Sequence, residues 1–390
     1  MNPGRKFRAA CYVIEGINSF ATVIYFNYLY FYFRDRFGFN DRQNLELAAF
    51  IGMIYIGASF GAGIFAKRYG YFTTLKLGFA IMAAGLAVGS QLQSVPAVIA
   101  ASCVTGTGMC LIWPVLEALV SEGANAANAV GIYNITWAIN NAVAFFIGGT
   151  IIEKLGYRSM FFVPLALMLL QLAMVFWLEK IQPAKLKAVM ENDLAEANPH
   201  RPAPALAKSF QRMAWLANPF AYIAINTLIA VLPGIAHKFG LSPMLAGFAC
   251  SLWCFARVVA FVVLWQWSGW HYRFRWLVTA FVLMILSFAT ILIAPSLAVI
   301  LAAQLFFGVT VGLMYYSSLF YAMDAHDSSS EHSGIHEAAI GIGNCLGPAA
   351  GAAALWLAPQ NAGAGAWAVS GLLTLGLGGL VWLRRQPVNK

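Results

Sequence analysis

Twelve long apolar segments follow one another along this chain, and they leave little room for any soluble fold. Of its 390 residues, 61% are hydrophobic and only 10% are charged. A helix that crosses a membrane needs roughly 20 apolar residues, whereas barrel strands alternate apolar and polar positions. The segments therefore predict an all-α membrane protein. The predicted spans, numbered one to twelve in chain order, cover residues 9–33, 45–66, 73–93, 95–118, 129–152, 159–178, 213–236, 243–266, 274–294, 296–322, 333–357 and 363–383.

The longest polar stretch divides the spans into two sets of six. It covers residues 179–212 and contains a proline-rich run at 199–204, which is typical of a linker. We therefore expect an N-terminal six-helix bundle in residues 1–178, a cytoplasmic linker in 179–212 and a C-terminal six-helix bundle in 213–390.

A short internal repeat relates the two halves. Residues 131–134 (Gly-Ile-Tyr-Asn) open span five, and residues 334–337 (Gly-Ile-His-Glu) open span eleven. At the same offset, Asn141 matches Asn344. Tandem halves related by an axis along the membrane normal are the layout of one large class of transporters. The repeat therefore predicts two six-helix bundles of similar architecture.

The net charge of +9 sets the expected orientation in the membrane. Seventeen of the 24 lysine and arginine residues fall on the side that holds both termini, six fall on the other side, and Arg257 lies within span eight. Loops rich in basic residues stay in the cytoplasm. Both termini are therefore predicted to be cytoplasmic in a multi-pass protein of the cell inner (plasma) membrane, and the basic charge indicates no nucleic-acid partner.

The loop after span two carries the first of two family motifs. Residues 63–70 read Gly-Ile-Phe-Ala-Lys-Arg-Tyr-Gly, and residues 156–161, before span six, read Gly-Tyr-Arg-Ser-Met-Phe. Both resemble motifs of the major facilitator superfamily of secondary transporters. In the first motif Lys67 replaces the usual acid, and Tyr71 and Phe72 replace the usual basic pair. The positions that match are Gly63, Ala66, Arg68 and Gly70.

This resemblance implies a layout for the twelve spans. Spans one, four, seven and ten would line a central cavity, spans two, five, eight and eleven would form its walls and the interface between the bundles, and the other four would face lipid. The acid that Lys67 replaces helps to latch one state in family members, so we expect a different latch here. Small residues let helices approach closely, and we expect this of Gly57 and Gly61 in span two and of residues 343–351 in span eleven.

Five ionisable residues lie within the apolar spans, where a charge is costly. They are Glu15, Glu117, Arg257, His336 and Glu337. Desolvation favours the neutral form of a carboxyl group, and a second carboxylate nearby favours it further, so Glu15 and Glu117 are predicted to take up and release protons. Arg257 always keeps its charge and needs a partner, for which Glu337 and an anionic solute are the competing choices.

Aromatic and amide side chains share helix faces with these charges. Asn18 lies one turn from Glu15, and Trp253 lies one turn from Arg257. Such side chains can enclose an organic solute. The remaining candidates for solute binding or proton coupling are Trp113, Asn134, Trp137, Asn141, Tyr222, Asn226, Tyr315 and Asn344.

These features favour a proton-coupled secondary transporter that moves a small organic solute by alternating access, with Arg257 favouring an anionic group on that solute. A drug/proton antiporter that exports lipophilic cations, an uncoupled facilitator and a non-transporting receptor or scaffold stay open as alternatives. The sequence has no phosphate-cradling glycine loop and no His/Cys cluster with metal spacing, so we expect no enzyme activity, cofactor or metal. The expected partners are the solute, protons and membrane lipid, and the expected state is a monomer.

Overall fold

Twelve helical spans make up the structure, which is a computed structural model that describes residues 3–121, 126–182, 205–324 and 330–386. No strand occurs in these residues, so the predicted all-α membrane fold is confirmed. The spans are Pro3–Phe37, Asp41–Tyr69, Tyr71–Gly89, Val95–Ser121, Ala126–Leu155, Ser159–Lys180, Ala205–Lys238, Pro243–Gln266, Phe274–Ile293, Leu297–Asp324, Ser330–Leu357 and Ala364–Arg385.

Span seven begins within the segment that the sequence assigned to the linker. Its helix starts at Ala205 rather than at residue 213. The early start has a packing reason, because Phe210 is buried against the rings of Tyr272 and Tyr321, with centroids 5.4 and 5.3 Å away. The expected linker residues 183–204 lie outside the described part of the chain.

A glycine with positive φ ends a span at each of the two sequence motifs, and a side-chain cap begins span two. Gly70 separates spans two and three with φ +85°, a backbone conformation that favours glycine. Gly156 ends span five with φ +75°, and the next residue, Tyr157, donates a hydrogen bond to the carboxylate of Asp35 in span one. At the start of span two, Asn40 forms a capping box with Gln43. The motif residues 156–161 thus tie the end of span five to span one.

Within each half of the chain, neighbouring spans pack against one another. In the first half, span one packs against spans five and six, and span three packs against spans four and six. In the second half, span ten packs against spans eight and nine, and span eleven packs against spans seven and twelve. The side of the molecule that carries residues 3 and 386 is called the terminus side below, and the other is called the opposite side.

The bundles meet along two pairs of antiparallel spans. We call spans two and eleven the acidic seam, because Glu337 of span eleven accepts a hydrogen bond there from Tyr55 of span two. We call spans five and eight the basic seam, because Arg257 of span eight donates there to Asn141 of span five. Each seam joins one span from either half, as the internal repeat predicts.

Close helix approach depends on only some of the expected glycines, and on Gly52 in addition. A Cβ atom on Gly52 would lie 2.6 Å from backbone atoms of span eleven, and one on Gly347 would lie 2.5 Å from a backbone oxygen of span seven. The close packing expected for residues 343–351 is therefore confirmed. The same expectation for Gly57 and Gly61 is wrong, because neither has any atom within 4 Å of an added Cβ. These two glycines lie on a face of span two that no neighbouring span covers.

Candidate functional site

A cavity with a volume of about 170 Å³ lies between the two bundles. A single buried water needs roughly 10–15 Å³ by the same measure, so there is room for a small organic molecule. The lining comes from spans one, two, four, five, seven, eight, ten and eleven, and the described residues of spans three, six, nine and twelve contribute nothing to it. This agrees with the layout that the family resemblance implies.

Span eight is broken at Ser251, and the break determines where Arg257 lies. The carbonyl of Ala249 and the amide of Trp253 would bond to each other in an unbroken helix. Instead, Gln304 Nε2 donates to Ala249 O at 2.9 Å, and Trp253 N donates to Gln304 Oε1 at 3.4 Å. A side chain inserted into the helical ladder is a known cause of kinks. A residue of span ten therefore positions the helix that carries Arg257.

Arg257 is buried and holds its charge between two indoles. Its guanidinium lies 4.5 Å from the ring centroid of Trp137 and 4.9 Å from that of Trp253. Such contacts stabilise a cation by roughly 0.5–2 kcal/mol each. Its Nη2 donates to Asn141 Oδ1 at 3.1 Å. Since Trp137 and Asn141 belong to span five, Arg257 joins the two bundles within the cavity.

Arg257 has no carboxylate partner among the described residues. The ion pairs in this part of the chain are Arg34–Asp41, Arg42–Glu46 and Lys76–Glu179, each within 4.0 Å. The expected partner, Glu337, bonds to Tyr55 instead, so the pair that the sequence suggested is not formed in this structure. Arg257 Nε is also buried without a hydrogen bond. The guanidinium therefore has donor capacity that the protein does not use.

Glu15 is fully buried and only half satisfied. Its Oε1 accepts a hydrogen bond from Ser19 Oγ at 2.8 Å, whereas its Oε2 has no hydrogen-bond partner. The side chains of Trp113 and Tyr133 lie beside the carboxyl group. Glu15 lines the cavity, but its unpartnered oxygen is sealed from open space, so the carboxyl group is buried at the cavity wall with one oxygen unsatisfied.

Two further carboxyl groups join Glu15 on the terminus side of the cavity. Glu337 Oε2 accepts a hydrogen bond of 2.5 Å from Tyr55 Oη. Glu117, near the end of span four, lies close enough to Glu15 and Glu337 for the three charges to interact. The Tyr55–Glu337 hydrogen bond therefore links spans two and eleven across the acidic seam.

Amide and aromatic groups form the rest of the wall. Asn226 of span seven donates to the side-chain oxygen of Asn344 in span eleven. Tyr315 of span ten lies edge-on to Trp137 of span five, with ring centroids 5.2 Å apart, and it also lies 6.2 Å from Tyr222. Twelve of the residues predicted from the sequence line the cavity, and they are Glu15, Trp113, Glu117, Trp137, Asn141, Tyr222, Asn226, Trp253, Arg257, Tyr315, Glu337 and Asn344.

Three predicted site residues lie outside the cavity. His336 is buried behind it, where its Nε2 lies 3.1 Å from Asn218 Nδ2 and 3.0 Å from Ser318 Oγ. Asn134 accepts a hydrogen bond from Trp137 Nε1 at 3.2 Å and so supports the wall without lining it. Asn18 is fully buried, and neither of its amide atoms has a hydrogen-bond partner. Neighbouring residues on a helix point about 100° apart, so Glu337 can face the cavity while His336 cannot.

Several functional positions carried little signal in the sequence. Tyr55 lines the cavity and holds Glu337, yet an isolated tyrosine in an apolar span has no distinctive pattern. Its spacing from Gly52 and Ala48, three and seven residues before it, places all three on one helical face and would have been the available clue. Gln304 was visible as a polar residue in span ten, but its effect on span eight depends on contacts that only the fold creates.

The fold and the cavity between its bundles define a polytopic membrane transporter. The family model of the Major Facilitator Superfamily matches residues 9–352. The chain therefore belongs to that superfamily, as the sequence motifs predicted. A comparison with curated proteins finds no match.

Solved structures share this fold at low sequence identity. The human organic anion transporter MFSD10 (TETRAN) has a TM-score of 0.69 and 16% identity, with 97% of this chain and 100% of that chain covered. The nucleoside transporter NupG has a TM-score of 0.72 and 12% identity, with 97% and 99% covered. A bacterial homologue of the human drug peptide transporters PepT1 and PepT2 has a TM-score of 0.72 and 16% identity, with 98% and 99% covered. At such identities the likeness shows the fold alone.

Proposed function

We propose that this transporter is a proton-coupled secondary active carrier that moves a small organic anion by alternating access, and that it is not an enzyme. The observation that carries the proposal is Arg257, a buried cation in the cavity with no carboxylate partner in the part of the chain that the structure describes. A buried charge is stable only when its surroundings compensate for lost hydration. Two indoles and one amide compensate in part for the lost hydration of Arg257. A carboxylate or similar group on the solute would supply the rest of the compensation.

Geometry also supports selective recognition by Arg257. A guanidinium presents its donors in a planar fork that fits a carboxylate with two parallel hydrogen bonds. Nη2 already bonds to Asn141, and Nε is sealed within the protein without a partner, whereas Nη1 forms no hydrogen bond and is not sealed from the cavity. Nη1 is therefore the nitrogen open to an incoming anion, and it lies beside Nη2 at the end of the fork.

The three carboxyl groups on the terminus side support coupling to protons. Glu15, Glu117 and Glu337 share one apolar cavity, and no cation forms an ion pair with any of them among the described residues. Three such groups cannot all carry charge without compensation, so the arrival of water or solute would be accompanied by proton uptake or release. Glu15 is the proposed carrier, because it is the most buried of the three and keeps one oxygen free.

The similar solved structures are consistent with this class of function. One is named as an organic anion transporter, and another as a member of the proton dependent oligopeptide transporters. The uneven distribution of lysine and arginine residues supports an orientation in the plasma membrane in which both termini of the chain lie in the cytoplasm. We propose that the protein acts as a monomer surrounded by lipid, since its cavity is complete within one chain.

Solute uptake into vesicles that contain the protein, with an imposed pH gradient, tests whether transport is coupled to protons. Glu15→Gln keeps the shape of the side chain and removes its titration, so gradient-driven accumulation should be lost while solute exchange without a gradient continues. Glu46→Gln, at an exposed carboxylate of span two, is the matched control and should accumulate solute normally. Undiminished gradient-driven uptake by Glu15→Gln would remove Glu15 from the mechanism.

Solute binding tests the charge assignment. Arg257→Lys keeps the charge but loses the planar fork, and a lost charge-assisted contact costs about 1.5–3 kcal/mol, or roughly 10- to 150-fold in affinity. Arg158→Lys, at an exposed position of the loop before span six, is the control. A dissociation constant that does not change in Arg257→Ala would refute the anion assignment.

A second function has a specific observation in its favour. Three carboxyl groups and several aromatic rings line the cavity against one arginine, which suits a drug/proton antiporter that exports lipophilic cations. A melting-temperature screen of the purified protein with organic acids, amines, sugars and drugs separates the two readings. Stabilisation by lipophilic cations alone would favour export of drugs. Transport that ignores the pH gradient in the unmodified protein would identify an uncoupled facilitator.

A further inference from the structure

The charged groups of the cavity are separated into an acidic end and a basic end. Glu15, Glu117 and Glu337 lie together on the terminus side, and Arg257 lies deeper, at the level of Trp137 and Asn141. We propose that the transported solute is a zwitterion, with its carboxylate on Arg257 and a protonated amine on Glu117. This inference rests on the proposed function, because it assumes that the cavity binds an organic anion through Arg257.

Glu117 differs from the other two carboxyl groups in its partners. Glu15 accepts a hydrogen bond from Ser19, and Glu337 accepts one from Tyr55. Glu117 forms no hydrogen bond with a described residue, and its oxygens are not sealed from the cavity that it lines. It is therefore the carboxyl group of the cluster that is free to accept from a ligand.

The surroundings of Glu117 suit an ammonium group better than a second proton site alone. Trp113 lies one turn before Glu117 on the same face of span four, and Tyr133 lies beside Glu15 and Glu117. The faces of aromatic rings attract cations, and a carboxylate supplies the hydrogen-bond acceptors that an ammonium needs. A cation here would also relieve the repulsion among three neighbouring carboxyl groups.

Span five gives the distance between the two ends. Tyr133 marks the acidic end, and Arg257 contacts Trp137 and Asn141, which lie four and eight residues further along. At 1.5 Å per residue, Tyr133 lies roughly 6–12 Å along the axis of span five from the residues that Arg257 contacts, and this rise sets the scale of the separation between the two ends. An α-amino acid is too short to reach both ends, whereas a chain of about two extended residues, each spanning roughly 3.3–3.6 Å, fits the lower part of this range.

A solute of this kind would connect the two bundles. Glu117 belongs to the first half of the chain and Arg257 belongs to the second half. A molecule that carries only one of the two charges would contact one polar end and leave the other uncompensated. Recognition would therefore depend on the presence of both charges and on the length between them.

Binding of a length series to the purified full-length protein tests the inference. The probes are glycine, γ-aminobutyrate, ε-aminohexanoate, ω-aminooctanoate and dialanine, each compared with its N-acetylated form, which keeps the carboxylate and lacks the ammonium. We expect the tightest binding at intermediate length and an affinity at least roughly tenfold weaker for the acetylated partner. In Glu117→Gln this preference for the free amine should disappear, whereas Glu46→Gln should retain it.

The outcomes separate this inference from the function on which it rests. Equal binding of free and acetylated probes, with both lost in Arg257→Lys, would overturn the zwitterion while leaving the anion carrier in place. A preference for the free amine that persists in Glu117→Gln would also overturn it. Failure of every carboxylate to bind in a manner that depends on Arg257 would overturn the proposed function itself. Should Glu117→Gln fail to fold, the comparison of free and acetylated probes on the unmodified protein decides alone.

Discussion

The acidic and basic seams each pair a span of the first half with a span of the second half, yet they hold these spans together by different chemistry. The acidic seam relies on Tyr55 and Glu337, a phenol and a group that can gain or lose a proton. The basic seam relies on Asn141 and Arg257, an amide and a permanent cation. Under the proposed function, protons would act directly on the acidic seam and an anion would act directly on the basic seam.

This difference shows what an internal repeat does and does not conserve. Both seams bring helix backbones close together through glycine, at Gly52 in the acidic seam and at Gly149 in the basic seam. The architecture is repeated, whereas the polar contacts are not.

The largest expected effect comes from filling the glycine contacts. An added Cβ on Gly149 would lie 1.9 Å from Pro243 O, and one on Gly52 would lie 2.6 Å from backbone atoms of Asn344 and Cys345. Because backbone atoms cannot rotate away, Gly149→Ala and Gly52→Ala should each lower the free energy of unfolding by about 1–3 kcal/mol. Thermal unfolding of the purified protein measures this. Gly57→Ala, which meets nothing within 4 Å, should be neutral or slightly stabilising, and equal losses in all three variants would refute the seam assignment.

Double-mutant cycles measure whether the two seams act separately. Tyr55→Phe removes a donor from a buried carboxyl group and should cost about 1–3 kcal/mol. Arg257→Met and Glu337→Gln share no partner in this structure, so their effects on stability should add within roughly 0.5 kcal/mol. By contrast, Tyr55→Phe and Glu337→Gln should be strongly non-additive. Coupling between Arg257 and Glu337 would show instead that they pair in another conformation.

A smaller effect is expected where Gln304 holds the broken part of span eight. Gln304→Leu removes two hydrogen bonds worth about 0.5–1.5 kcal/mol each and should also weaken anion binding, although Gln304 does not line the cavity. Gln171→Leu is the matched control, because that buried glutamine donates to Leu167 O of its own helix. It should change stability without changing affinity. Unaltered binding in Gln304→Leu would show that Arg257 is positioned without it.

The smallest effect concerns the opposite-side end of the basic seam. Glu153 of span five is exposed and accepts a hydrogen bond of 3.0 Å from Met244 N, in the first turn of span eight. Glu153→Gln keeps an acceptor oxygen and should change the melting temperature little. Glu153→Lys places a cation at a helix N-terminus and should lower it in a salt-dependent manner. Glu153→Gln is the matched comparison, and identical salt responses of the two variants would show that the charge at this position contributes nothing.

Sequence alone was sufficient for the spans and for most of the cavity. A charge in an apolar span is so costly that its position identifies a polar surface, which is why Glu15, Glu117, Arg257 and Glu337 were predicted correctly to lie together around one cavity. Amides and histidines are less informative, because a buried neighbour can satisfy them. His336 with Asn218 is the example.

Other features could not be predicted because they depend on which way a helix faces. Gly57 and Gly61 have the spacing of a packing motif, but an apolar helix gives no sign of which glycines meet protein and which meet lipid. The break at Ser251 has no proline or glycine to announce it. It arises from Gln304, a residue far away in sequence, whose side chain enters the ladder only after spans eight and ten have packed.

That insertion divides span eight into two helical segments that meet at Ser251, with Gln304 of span ten hydrogen-bonded on both sides of the break. The short segment, Pro243–Cys250, packs closely against span five at Gly149. The long segment, Leu252–Gln266, places Trp253 and Arg257 at the cavity. A tilt of the short segment at its opposite-side end would therefore pass through the Ser251 backbone toward Arg257, and Gln304 of span ten would resist it through its two hydrogen bonds across the break.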